Sequence, residues 1–189
     1  MKKLFCGILA VVLILGCLAG CSNTSKSDLY FETLSVTLYD GKVVSTDMDQ
    51  ETIRKNMKES PSNTIELTDS VQDEWVLDYG LFVDYDSSNW VSYIFVVGSE
   101  GGNFTTSLGV SQGDSVASMK EKLGEPMEED EARYTYGFYL VEGRYIIARG
   151  NTDSFFSSLV ENSDINAYTV NFSTDNDKIE DFSVYHLTQ

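Results

Sequence analysis

The sequence predicts an α+β fold: two tandem units of a short helix packed on an antiparallel β-sheet, after a cleaved signal peptide. Three observations carry this. From Leu29 onward apolar and polar residues alternate mainly with period two, and the apolar positions are rich in Tyr, Phe, Val and Ile. Two short segments break that alternation with helical spacing. A shift of 89 positions lays the end of one half of the chain over the end of the other without a gap.

The first twenty residues read as a targeting segment. Lys2 and Lys3 make a short positive region, and the 14 residues from Phe5 to Leu18 are apolar apart from small residues and cysteines. Leu18-Ala19-Gly20-Cys21 then matches the lipobox, in which a large aliphatic residue and two small ones precede a cysteine. The small residues let a peptidase hold the chain extended between Gly20 and Cys21, and the Cys21 thiol is the group that takes a thioether-linked diacylglyceryl. A permanent membrane helix needs about 20 apolar residues, more than this run supplies. Cys17 is the poorer alternative, because bulky Leu15 stands where a small residue is wanted. The three cysteines are at 6, 17 and 21, so the expected mature chain keeps only an acylated one, with no thiol for a disulfide or a metal.

The expected organisation is a signal peptide over 1–20, the lipidated cysteine and a polar linker over 21–28, a first unit over 29–105 and a second over 106–189. Within the first unit, Asp40-Gly41 between Leu34–Tyr39 and Lys42–Ser45 signals a hairpin. A helix follows from about Met48 to Lys58, with Ile53 and Met57 on one face and Pro61 as its stop. In the second unit Asp114-Ser115 caps a helix running to Leu123. Val116, Met119 and Leu123 share its inner face, and Gly124 and Pro126 end it. Glu142-Gly143 marks another hairpin, between Tyr134–Val141 and Arg144–Ala148. Helices this short need a sheet to pack on.

The repeat aligns Tyr79–Val97 with Tyr168–His186, each copy a strand, an acidic turn and a second strand. In the second copy Val170, Phe172, Phe182 and Val184 are the apolar set. They share a face only if the turn around Asp175-Asn176-Asp177 holds an odd number of residues or a bulge. Transferred to the first copy, this buries Leu81, Val83, Tyr93 and Phe95. It leaves Phe82, Trp90, Ile94 and Val96 on the other face, which is too apolar to be idle: either packing between the two repeats covers it or it is the candidate partner-binding surface.

Charge narrows the partners. The chain stands at −17, and loss of Lys2 and Lys3 takes it to −19. Such a surface repels nucleic acid and anionic head groups and favours basic peptides, basic protein patches or divalent cations. The chemistry-bearing motifs are weak. Gly109-Val110-Ser111-Gln112-Gly113 is a literal G-x-S-x-G followed by acids and then His186. The nucleophile elbow, however, needs a parallel α/β sheet, so its glycines read better as the turn into the helix at Ser115. Asp84-x-Asp86-Ser-Ser-Asn89 and Asp175-Asn-Asp177 invite calcium, yet position six from Asp84 is Asn89 and position twelve is Phe95, unlike an EF-hand. They read as hairpin turns. Glu125–Glu131 reads as a solvated acidic loop and Ser99–Asn103 as a loop unsuited to phosphate. No catalytic set, metal site or cofactor is expected.

From Leu108-Gly109 through Asp114-Ser115-Val116 to Leu123-Gly124-Glu125-Pro126, the chain resembles a recurrent lipoprotein motif. It comprises a glycine turn, a polar cap, an amphipathic helix and a Gly-x-Pro stop before antiparallel strands. Small lipoproteins of the outer-membrane-assembly type and the tandem-repeat β-lactamase inhibitor protein share it. The resemblance covers 106–189 directly and 29–105 through the internal repeat. It implies a helix-on-sheet unit whose sheet binds protein, with Gly109, Gly113, Gly124 and Pro126 in structural positions only. The expected function is a membrane-anchored, non-enzymatic domain that binds protein or peptide, held by lipid on Cys21 at the extracytoplasmic face. A cell-envelope sensor or cation-binding lipoprotein using the acidic loops is the alternative.

Overall fold

The computed structural model describes residues 29–98, 103–161 and 165–187; the lipobox and Cys21 lie outside them, as does most of Ser99–Asn103. The chain runs β1 (Tyr30–Phe31), β2 (Ser35–Leu38), β3 (Val43–Ser45), α1 (Gln50–Met57), β4 (Asn63–Glu66), β5 (Val71–Trp75), α2 (Val76–Tyr79), β6 (Leu81–Tyr85) and β7 (Val91–Val97). It continues through β8 (Phe104–Thr106), α3 (Val116–Leu123), β9 (Glu128–Asp130), β10 (Arg133–Val141), β11 (Arg144–Ile147), α4 (Thr152–Glu161), β12 (Asn166–Asp175) and β13 (Lys178–Leu187). None of the described helices is long and apolar enough to cross a membrane.

The fold is largely antiparallel β, which corrects the expected α+β class with tandem helix-on-sheet units. One ten-stranded sheet runs β1-β11-β10-β12-β13-β7-β6-β5-β4, with β9 paired to β10 off that path, and a small sheet runs β3-β2-β8. The two halves are joined where β7 pairs with β13, Phe95 opposite Ser183. An isolated two-stranded hairpin is marginal in water, and laying the two repeated hairpins edge to edge satisfies one open ladder on each. The boundary expected between 105 and 106 falls inside β8, which pairs with β2 of the first half.

The hairpin turns follow their residues. Glu142 and Gly143 take φ 51° and 77°, and Asn176 and Asp177 take 48° and 63°, the double positive φ of a two-residue type I′ connection. The ladder of β12 and β13 shifts between Ser173 and Thr174, the bulge that puts Val170, Phe172, Phe182 and Val184 on one face. Asp49 caps α1, its Oδ1 accepting from the Thr52 amide at 2.8 Å, and Ser115 Oγ accepts from Ser118 at 3.2 Å to cap α3. The first helix ends at Met57 and is capped by Lys58, which turns left-handed at φ 59°, so its end lies where the sequence places it, ahead of Pro61.

One core cluster fills the space between the inner face of the large sheet and the small sheet with α1 and α3. Val36, Ile53, Met57, Met119, Phe104, Phe172 and Phe182 are among its fully buried members. The helix α4, not foreseen in the sequence, packs on the opposite face. Phe155 and Leu159 cover Ala148 and Ala167 there, in a second, smaller cluster.

Candidate functional site

Alternation along β5, β6, β7 and β13 sets what the outer face carries. Leu81, Val83, Tyr85, Ile94, Val96, Phe182 and Val184 point inward and are buried. The intervening residues point outward, and opposite partners across the ladders line up as rows: Glu74 beside Phe82 beside Phe95, and Gln72 beside Asp84 beside Tyr93 beside Tyr185. Phe82 stacks on Phe95 at 5.8 Å between centroids, Phe95 on Tyr93 at 6.2 Å and Tyr93 on Tyr185 at 4.0 Å. The four rings form a continuous aromatic strip across three strands. Three of them are half-buried by one another, and Tyr185 is 44% exposed.

Three carboxylates border the strip. Asp84 Oδ1 accepts from Gln72 Nε2 at 2.6 Å, Glu74 Oε2 from Asn63 Nδ2 at 3.2 Å, and Asp181 Oδ1 from the Gly98 amide at 3.2 Å. Burial raises the carboxyl pKa of Asp84, with the charge of Glu74 adding to it and the Gln72 hydrogen bond opposing. Burial likewise raises Asp181, against the Gly98 bond. Both carboxyls give up solvation, and among the described residues neither makes an ion pair, a deficit that a positive ligand would offset. Burial also raises the Tyr93 phenol, helped by its hydroxyl bond with Tyr185, so that phenol stays neutral.

The candidate face read from the sequence is corrected here. Phe82 does lie on the outer face, but Ile94 and Val96 are fully buried and Trp90 is off the sheet. Trp90 sits at the β6–β7 turn, 50% exposed and bridged to Asp49. The reason is a one-residue slip: pairs in the first hairpin sum to 177 (Phe82 with Phe95) and in the second to 354 (Phe172 with Phe182). A gapless shift of 89 would require 355 in the second, so its return strand aligns at 88. Tyr93 and Phe95 therefore match Asp181 and Ser183, and both face outward. Tyr185 was legible in the sequence as an aromatic between the polar or core positions of β13 but carried no separate signal.

The remaining motifs resolve into local structure. Ser111 Oγ lies 3.0 Å from Thr105 Oγ1 and the Ser111 amide donates to Asp114, while the His186 ring stacks on Tyr168 at 4.6 Å. The serine and the histidine are not brought together. His186 Nε2 is buried with no hydrogen-bond partner among the described residues, and burial lowers its pKa against the opposing charge of Asp86. Asp86 Oδ1 accepts from the amides of Ser88 and Trp90, the Asx geometry of a turn. Among the described residues no three Asp, Glu, His or Cys side chains converge on a point a metal could fill. Of Glu125–Glu131, Glu128–Asp130 form a strand, and Lys120 Nζ meets Glu129 at 2.6 Å and Glu125 at 3.4 Å.

Comparison with family models, with curated proteins and with solved structures finds no match to this chain.

Proposed function

We propose that this protein is a lipid-anchored, extracytoplasmic binding domain that holds a basic peptide or basic protein segment on the outer face of its large sheet. The observation that carries the reading is the aromatic strip of Phe82, Phe95, Tyr93 and Tyr185 bordered by Asp84, Glu74 and Asp181. Planar rings offer broad apolar contact at low entropic cost and attract Lys and Arg over their faces. Carboxylates at the margin add steering and set the sign of the partner. A net charge of −17 extends the same preference to longer range.

The lipobox at Leu18–Cys21 supplies the anchor. Two acyl chains give roughly 20 kcal/mol of gross transfer free energy at about 0.8 kcal/mol per methylene, so attachment is effectively permanent. Cys21→Ala is expected to abolish lipid labelling and release the protein from the membrane fraction; labelling that survives moves the modified residue to Cys17.

The binding reading is tested by titrating the full chain, in non-ionic detergent, with Lys/Arg-rich peptides and with acidic peptides of the same length. Basic peptides should bind, and Tyr93→Ala with Tyr185→Ala should abolish binding while the melting transition stays cooperative. Equal binding of both peptide classes, or unchanged binding by the double variant, removes the proposal.

A further inference from the structure

We infer that the cleft at the C-terminal end of α1 is a binding site for a phosphate-bearing anion, held by Arg54, Lys55 and Lys58. In a chain with 30 acidic and 13 basic residues, three of the basic ones fall within five positions and line one open cleft of about 520 Å³. Ser60 and a single carboxylate, Glu59, share its wall.

The three cations differ from their neighbour Lys42, and the difference is the argument. Lys42 Nζ lies 2.7 Å from Asp40 and 3.5 Å from Glu59, is bonded to Tyr79 and sits over its ring, so its charge is spent. Lys55 and Lys58 make no ion pair or side-chain hydrogen bond with any described residue. Arg54 is intermediate. Its Nε and Nη2 donate to the fully buried Asp73 at 2.8 Å each, and Asp73 also accepts from Thr64 at 2.8 Å. That fixes the guanidinium plane while its side chain stays 43% exposed and Nη1 keeps both hydrogens unspent. An arginine held from behind by a buried carboxylate, with its outer edge turned to a cleft, is pre-organised for an oxyanion.

The charges at this end of the helix do not cancel. The negative pole of α1 counts for about half a unit charge and Glu59 for one. Three cations, Arg54 partly neutralised by Asp73, leave a local excess of positive charge. The surplus of carboxylates elsewhere acts weakly here, because charges more than about 8 Å apart are screened at physiological ionic strength. A tetrahedral phosphate group, with several acceptor oxygens, uses three donors around one cleft better than a single carboxylate does. Lys58 is also set by the backbone: its left-handed φ of 59° ends the helix and places it at the junction of this cleft with a second, of about 490 Å³, that Lys55 and Lys58 also line.

The experiment titrates the full chain, in phosphate-free non-ionic detergent at low salt, with inorganic phosphate and separately with glycerophosphoglycerol, the soluble head group of a phosphatidylglycerol lipid. Amide shifts over residues 50–62 report binding. Lys55→Ala with Lys58→Ala should weaken it about a hundredfold, the scale of two lost charge-assisted hydrogen bonds. Glu59→Gln should tighten it, and Lys178→Ala, outside the cleft, should leave it within about twofold. Both lysines are exposed, so the double variant should melt like the natural chain. Binding of both probes assigns a free phosphate, and binding of the diester alone assigns a membrane head group. No shift with either probe, or equal affinity in the double variant, or an equal loss in Lys178→Ala, overturns the inference.

Discussion

The outer face of the large sheet is finished in two ways. At the β10–β12 end the floor is Gly137, Ala167 and the adjoining Ala148, and α4 lies on it with Phe155 and Leu159 buried. At the β13–β7–β6 end the floor is Tyr185, Tyr93, Phe95 and Phe82, and no described helix covers it. Small residues bring a helix close to a sheet; a row of rings holds it away and must be shielded by its own stacking or by something else. The chain thus lays its covering helix where small residues, with Tyr139 beside them against Phe155, let it approach, and leaves the row of four rings with no helix over it among the described residues. That contrast is consistent with α4 as structure and leaves the aromatic strip as the surface on which the proposed binding rests.

The contrast is broken most severely along β13 itself. Phe182 points inward at 1% exposure and Tyr185, three residues on, points outward. Phe182→Ala should cost about 3–5 kcal/mol in denaturant unfolding, the range for deleting a buried aromatic ring. Tyr185→Ala should cost about 0.5–1.5 kcal/mol, the worth of its stacking on Tyr93. If the two costs are equal, the outer face is core and the binding proposal loses its surface.

The covered end responds to added bulk. A Cβ on Gly137 would lie 2.8 Å from Phe155 Cε2 and 2.7 Å from Met127 Sδ, and the ring cannot move aside as the thioether can. Gly137→Val should therefore cost about 1–3 kcal/mol and loosen α4, seen as faster amide exchange over 152–161 with the amides of β6 and β7 unchanged. Exchange that rises evenly across the sheet would mean that α4 is not a separable cover.

Much of this architecture was legible, and its failures share one cause. The Asp40-Gly41 and Glu142-Gly143 turns, the α3 helix with its Ser115 cap, and the bulge needed near Asp175 all rest on local chemistry that a sequence displays. The fold class did not: whether Tyr79–Val97 and Tyr168–His186 make two domains or one sheet depends on the β7–β13 pairing, 89 or so residues apart, which leaves no local mark. The face assignment failed through a register of one. Period two makes a single-residue difference between the hairpins exchange Tyr93 and Phe95 with Ile94 and Val96, so one undetected slip inverts an entire strand. Helix α4 was hidden because it lies outside both copies of the repeat, between the expected strand Arg144–Ala148 and Tyr168. Phe82 survived because it precedes the slip.

The smallest effect is also the one that separates a binding residue from a structural one. Burial holds the folded Asp84 carboxyl above its ordinary 3.8, so from 3.8 up to that raised value the folded state binds more protons than the unfolded state. Stability therefore falls as pH rises through this window and stays reduced above it. Asp84→Asn keeps an acceptor for Gln72 and removes the charge, so the variant should be slightly more stable than the natural chain at pH 7, and the gap should close below pH 3.8. Binding of a basic peptide should move the other way, weaker in the variant and with a shallower salt dependence, because the partner loses a carboxylate. A residue kept for folding would lose stability on this change; one kept for a cationic partner gains stability and loses affinity. Urea melts at pH 3 and 7, paired with peptide titrations at two salt concentrations, read both signs on one variant.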